Sequence, residues 1–145
     1  MKVVEHRQTE HMLCDTIRIP VAAGAEVFGG TLAVWDVEKG GCVAASNRRH
    51  TIFVGVAVAT MKATGRFAPG DAPMLSTQRR GQFLFDMAHP ITNKDLLRRV
   101  YAVDDQTVAL SDFGSDGPWV GNVVGIDDKG VWVEIDFAAR EGRRD

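Results

Sequence analysis

Two pairs of adjacent acids are the first residues whose type and spacing could do chemistry: Asp104–Asp105 in YAVDDQTVAL and Asp127–Asp128 in GIDDKG. Neighbouring carboxylates can hold a divalent cation, or share a proton in acid–base catalysis. Each pair, however, is set between short apolar runs, VYAV and TVAL in one case, WVGNVVGID and VWVEIDF in the other. Aspartate favours turns because its carboxylate accepts hydrogen bonds from nearby backbone N–H groups. Neither segment, nor SDFGSDG, has the D-x-[DN]-x-[DN]-G spacing of a calcium loop. With no His, Cys or third acid at a useful spacing, Asp104 and Asp105 read as the solvated tip of a hairpin, and Asp127–Asp128 as a second hairpin turn.

Other chemistry finds no better footing. His6, His11 and Cys14 crowd the N-terminus, and zinc takes N and S ligands, but the spacing is not that of a zinc finger. His50 and His89 fall in loops beside Arg49 and Pro90. There is no GxSxG elbow, and Ser46, Ser76, Ser111 and Ser115 stand in turn-like contexts. Cys42, opening an apolar run, reads as a small buried residue rather than half of a Cys–His pair. The glycine pairs of GGTLAV and EKGGCV match no phosphate-binding loop and read as turns. No catalytic residue, metal site or cofactor is assigned. Among the tryptophans, Trp35 reads as core, whereas Trp132 alternates with Val131, Val133 and Ile135 and so points away from them. An aromatic on the second face of a sheet suggests a subunit interface or a ligand platform.

The elements that must position these residues are short strands. TIRIPV, TLAVWDV, CVAAS, TIFVGVAVAT, MLSTQRRGQFLFDM, VYAV, TVAL, WVGNVVGID and VWVEIDF alternate apolar and polar residues, or run apolar, between Gly/Asp/Ser turns. In TIFVGVAVAT, period two puts Ile52, Val54, Val56 and Val58 on one face and Phe53, Gly55, Ala57 and Ala59 on the other. One helix of no more than two turns is expected in PITNKDLLRRVY, with Thr92 as N-cap, Asp95 three residues on, and Leu96, Leu97 and Val100 packed on the sheet. The expected fold is all-β: a compact barrel or sandwich of about eight to ten short strands, with one short helix. Residues 1–16 read as an extended, flexible polar arm, residues 17–137 as one β-rich domain, and residues 138–145 as a polar tail.

At 145 residues the chain can bury a core without disulfides. Seventeen basic against nineteen acidic residues leave a net charge of −2, and the arginines come as scattered pairs, which argues against direct nucleic-acid binding. No segment reads as a signal peptide or a membrane span, so synthesis in a reducing cytoplasm is expected, with free thiols.

The order of IPVAAGAEVFGGTLAV, FVGVAVAT, GDAPMLSTQRRGQFLF, ITNKDLLRRVYAVDDQTVAL and VGNVVGIDDKGVWVEID, over roughly residues 17 to 137, resembles the capsid decoration (cement) proteins of tailed bacteriophages and prophages. The resemblance implies a structural, non-enzymatic protein that binds the outside of an assembled icosahedral head, commonly as a homotrimer. It would contact the major capsid protein, brace the shell against the pressure of packaged DNA, and reside in the virion. The expected interface residues are Val3, Val4, Met12 and Leu13 of the arm, Arg18 of the first strand, and Trp119 and Trp132. The alternative is a β-barrel module for a small molecule or carbohydrate, with Trp119 or Trp132 as stacking platform beside Glu134 and Asp136. A small hydrolase whose residues converge only in the folded chain is a further alternative.

Overall fold

Twelve strands and two single 3₁₀ turns make up the computed structural model, which describes residues 15–64 and 70–137. The arm residues Val3, Val4, Met12 and Leu13, the His6–His11–Cys14 group and the tail 138–145 lie outside the described residues. The all-β expectation holds, with more and shorter strands than the alternation suggested.

A five-stranded antiparallel sheet is built from β1 (Thr16–Pro20), β3 (Leu32–Asp36), β4 (Gly41–Ala44), β5 (Thr51–Ala57) and β7 (Met74–Gln78), in the order β1-β7-β5-β3-β4. Its two outer strands approach each other where Val21 bridges Cys42 and the Ala22 N–H donates to the Cys42 carbonyl at 3.0 Å. A two-stranded ribbon, β2 (Glu26–Val27) and β6 (Met61–Lys62), lies in the connections of this sheet. The second sheet closes on itself. Its strands β8 (Arg80–Met87), β9 (Arg99–Ala102), β10 (Thr107–Leu110), β11 (Trp119–Asp127) and β12 (Gly130–Asp136) form a barrel in the order β10-β8-β12-β11-β9, with β9 paired to β10. Closure removes most open edges; the β8–β10 contact is parallel and two residues long, Thr107↔Asp86 and Val108↔Met87.

Apolar residues on both faces of the first sheet explain how two sheets share one body. Ala33, Cys42, Val54, Ala57 and Leu75 pack with Val21, Val27 and Ala63 in one cluster. Leu32, Val34, Phe53 and Val56 face the other way, into the barrel core of Phe85, Val100, Val108, Val123, Val131, Val133 and Ile135. Each fully buried Val, Leu or Ile contributes on the order of 1.5–3 kcal/mol. The stacking of Phe53 on Phe137, with ring centroids 5.6 Å apart, ties the two sheets at that junction.

Strict alternation along β5 does not hold. Phe53 and Val56 share one cluster, Val54 and Ala57 the other. The pairing with β3 shifts by one residue, from Val34↔Phe53 to Ala33↔Gly55. The extra residue reverses the phase of everything after it, so Val54 and Val56 lie on opposite faces. Gly55 allows this: its φ is +135°, and a Cβ there would stand 2.5 Å from the Gln78 carbonyl oxygen.

The expected helix is reduced to the 3₁₀ turn Asn93–Asp95. It starts as expected, for the Asp95 carboxylate accepts the Thr92 N–H at 3.0 Å. It stops because Leu96 is extended (φ −55°, ψ 138°) and the Leu97 N–H donates to the Val123 carbonyl of β11 at 2.7 Å instead of back along a helix. Val100 is buried, but Leu96 and Leu97 are 41% and 76% exposed and do not pack on the sheet. Leu97 holds φ +71°, a left-handed conformation that L-residues adopt at a cost.

Candidate functional site

Both acid pairs sit on hairpin tips. Asp104 lies between β9 and β10, and its Oδ1 accepts the Gln106 N–H at 2.8 Å. Asp105 is only half-exposed, and its carbonyl accepts the Leu32 N–H at 2.8 Å, pinning the tip to the first sheet. Burial, and then the neighbouring Asp104 charge, push the Asp105 carboxyl above the usual carboxylate range. At the β11–β12 turn, Asp127 Oδ1 accepts the N–H groups of Lys129 (2.8 Å) and Gly130 (3.2 Å), while Oδ2 accepts the Trp132 indole N–H at 2.9 Å. The Trp132 indole is the largest cause holding the Asp127 carboxyl below its ordinary value, followed by the Lys129 N–H. Asp104 and Asp127 therefore organise their turns, with donors already in place on their carboxylates.

Trp132 stands on the outer face of the barrel, as its alternation required. Val131, Val133 and Ile135 are buried, while Trp132 is 36% exposed. It faces Leu84 across the β8–β12 pairing. On its other side the pairing shifts at Val123/Gly125 and brings Gly125 opposite. A Cβ on Gly125 would meet the Trp132 Cβ at 3.7 Å and the indole at 3.8–3.9 Å, so the ring lies against this part of β11. Leu84 is also 36% exposed, and Phe28, in the turn before β3, is 51% exposed. Leu84 and Phe28 line one shallow cleft of about 390 Å³ with Gly29, Gly30, Asp86, Gln106 and Lys129. The result is an apolar strip, Phe28–Leu84–Trp132, running beside both acidic turns.

The other site residues fall elsewhere. Arg18 is exposed on β1, opposite Ser76 in the pairing with β7. Trp119 does not offer an open ring: it is 9% exposed, its indole N–H donates to the Gly121 carbonyl at 3.0 Å, and the Arg99 guanidinium covers the ring at 4.5 Å. The ring expected at an interface or stacking platform is therefore buried and covered within the described chain. Glu134 is exposed on the same face as Trp132, and Asp136 is half-buried. Phe28 and Leu84 carry the strip yet were not singled out by sequence; the one usable signal was the alternation of Leu84 with Phe83 and Phe85.

Among the described residues no three His, Cys, Asp or Glu side chains gather as a metal site. His89 has partners that its loop position did not suggest: its Nε2 accepts the Leu110 N–H at 3.0 Å, and its ring stacks on Phe113 with centroids 5.0 Å apart. Cys42 is fully buried, and burial pushes its thiol up to about 12, which removes the thiolate needed for nucleophilic chemistry. Asp36, also buried, is a structural carboxylate. Burial raises its pKa, but the Lys39 N–H, the Arg48 guanidinium at 3.2 Å and the Glu38 N–H together hold it below its ordinary value.

No family model, curated protein or solved structure matches the chain at a significant level.

Proposed function

We propose that the chain is a structural decoration protein of a tailed-phage or prophage head, which binds the outside of the assembled shell as a homotrimer and braces it against internal DNA pressure. The order of sequence segments that resembles such proteins suggests the reading. The observation that carries it is the placing of large exposed apolar side chains on several parts of a closed β body. Phe28, Leu84 and Trp132 form one group, Leu96 and Leu97 another, and Ile52 and Val37, both 57% exposed, stand near the β3–β4 turn. A brace needs a rigid domain with contacts on more than one side, to its own copies and to the shell. Each such contact needs on the order of 1,000 Å² of buried surface to persist. The test is to measure the mass of the purified protein in solution, then its sedimentation with heads of the encoding phage or prophage prepared without it. A trimer that cosediments is expected. A monomer left in the supernatant would overturn the reading.

A second reading has one specific observation in its favour. Trp132 is held by Asp127 and rests against Gly125, leaving part of its surface exposed beside Glu134, an arrangement suited to stacking on a sugar ring. Titration with a panel of oligosaccharides, followed at the Trp132 indole resonance, tests it; a silent resonance across the panel would remove it.

A further inference from the structure

Strand β8 carries backbone groups that the barrel does not use. The Asp86 and Ala88 N–H groups donate to the Gln106 and Val108 carbonyls at 2.9 and 3.0 Å, so residues of that parity face β10. Backbone direction alternates along a strand, so Gln82 and Leu84 turn their N–H and C=O to the same side. There β10 has already departed: it meets β8 only at Asp86 and Met87, because the chain before Thr107 turns into the hairpin holding Asp104 and Asp105. Among the described residues, no backbone group pairs with Gln82 or Leu84 on that side. Among the described residues, an open stretch of edge remains in an otherwise closed barrel.

The cleft lies against this edge. Leu84, Phe85 and Asp86 line it together with the turn Phe28–Thr31, and Gln106 and Lys129 complete its lining. Phe28 and Leu84 give it apolar contact area. Its charge is one-sided. Asp86 is in the lining, Asp104 and Asp105 are on the hairpin tip next to Gln106, and Asp127 and Asp128 are on the tip next to Lys129, the one cation among these groups.

We propose that the open edge of β8 at Gln82 and Leu84 takes an extended, basic peptide segment of a partner protein, added as one more strand along the cleft. Unpaired N–H and C=O groups in a row accept only an extended backbone, which supplies the matching groups at the same spacing. Alternate side chains of the segment then rest on Phe28 and Leu84, and the intervening lysines or arginines reach the aspartates of the two turns. A volume of about 390 Å³ is within the range of peptide and small-ligand clefts, roughly 300–1,000 Å³. The inference does not depend on the capsid reading and stands or falls separately from it.

The probe is a short synthetic peptide alternating valine with arginine, titrated into the full ¹⁵N-labelled chain. It is compared with a version N-methylated at alternate residues and a version with glutamate for arginine. Amide shifts are expected at Gln82, Leu84 and Gly29–Thr31, with affinity at least about tenfold weaker for each altered peptide. The double variant Asp86→Lys, Asp104→Lys should weaken the basic peptide by a similar factor. Gln82→Pro removes a donor that the ladder does not use and should also abolish binding; if that variant does not fold, the N-methylated comparison decides. Equal affinity for the N-methylated or the acidic peptide, or shifts confined to other amides, would overturn the proposal. So would protection of Gln82 and Leu84 without peptide in a species of doubled mass, which would identify a second copy of this chain as the occupant.

Discussion

Trp132 and Asp127 hold one another across the β11–β12 turn: the indole N–H donates to Oδ2 at 2.9 Å, while Oδ1 takes two backbone N–H groups of the same turn. One carboxylate thus sets both the hairpin and the orientation of an exposed aromatic ring on the outer face of the barrel. Because these bonds favour its charged form, the Asp127 pKa is lowered on folding. A group depressed in the folded state stabilises it above the unfolded value, about 3.9, and that contribution is lost as pH falls through the folded value. The Trp132 indole resonance should therefore move as pH drops below about 4. The Trp119 indole, bonded to the Gly121 carbonyl, should not follow it, and Asp127→Ala should show the low-pH Trp132 resonance at neutral pH.

Gly55→Ala should be among the most damaging single-methyl additions. The new Cβ would stand 2.5 Å from the Gln78 oxygen, at a φ of +135° that alanine does not tolerate. A loss of at least about 2 kcal/mol is expected, read as a lower urea midpoint at unchanged slope. A variant as stable as the parent would mean that β5 does not need its bulge.

Leu97→Gly should do the opposite. Leu97 is 76% exposed and held at φ +71°, so glycine removes backbone strain and little packing. The free protein should gain up to about 1 kcal/mol. If the exposed leucine is kept for contact with a shell, the same variant should bind heads less tightly. Higher stability together with full head binding would remove Leu97 from that interface.

Cys42 should be inert while the fold is intact. In a Cys14→Ser variant it is the remaining thiol. Its full burial and raised pKa predict that a disulfide reagent at pH 8 reacts only as fast as the protein opens. Labelling should accelerate with denaturant in step with loss of structure; fast labelling of the native protein would contradict the burial.

Much of this arrangement was legible in local pattern. TVAL and WVGNVVGID mark the bounds of β10 and β11, the alternation of VWVEID turned Trp132 outward, and both acid pairs lie at hairpin tips. What escaped depends on contacts between distant segments. The phase reversal at Gly55 comes from its close approach to Gln78, and Leu97 leaves the helical path to reach Val123. Trp119 is covered by Arg99 from the neighbouring strand, whereas period two alone gave no sign of a lid. Phe28 and Leu84 lie far apart in sequence and share a cleft only because the two sheets pack together. A strip made of one residue from a turn and two from separate strands leaves no periodic trace.

The position of β12 has a consequence for biosynthesis. It runs between β8 and β11 and supplies Val131, Val133 and Ile135 to the core, yet it follows all its partners in the chain. While the ribosome is still making it, β8 and β11 have no strand between them, and the apolar side chains of the half-built barrel stay exposed to water. The barrel can therefore close only after Phe137 has left the exit tunnel, which makes folding a late and non-local event. A nascent chain halted before Val131 should be captured by chaperones, whereas one carrying a spacer beyond Phe137 should escape them.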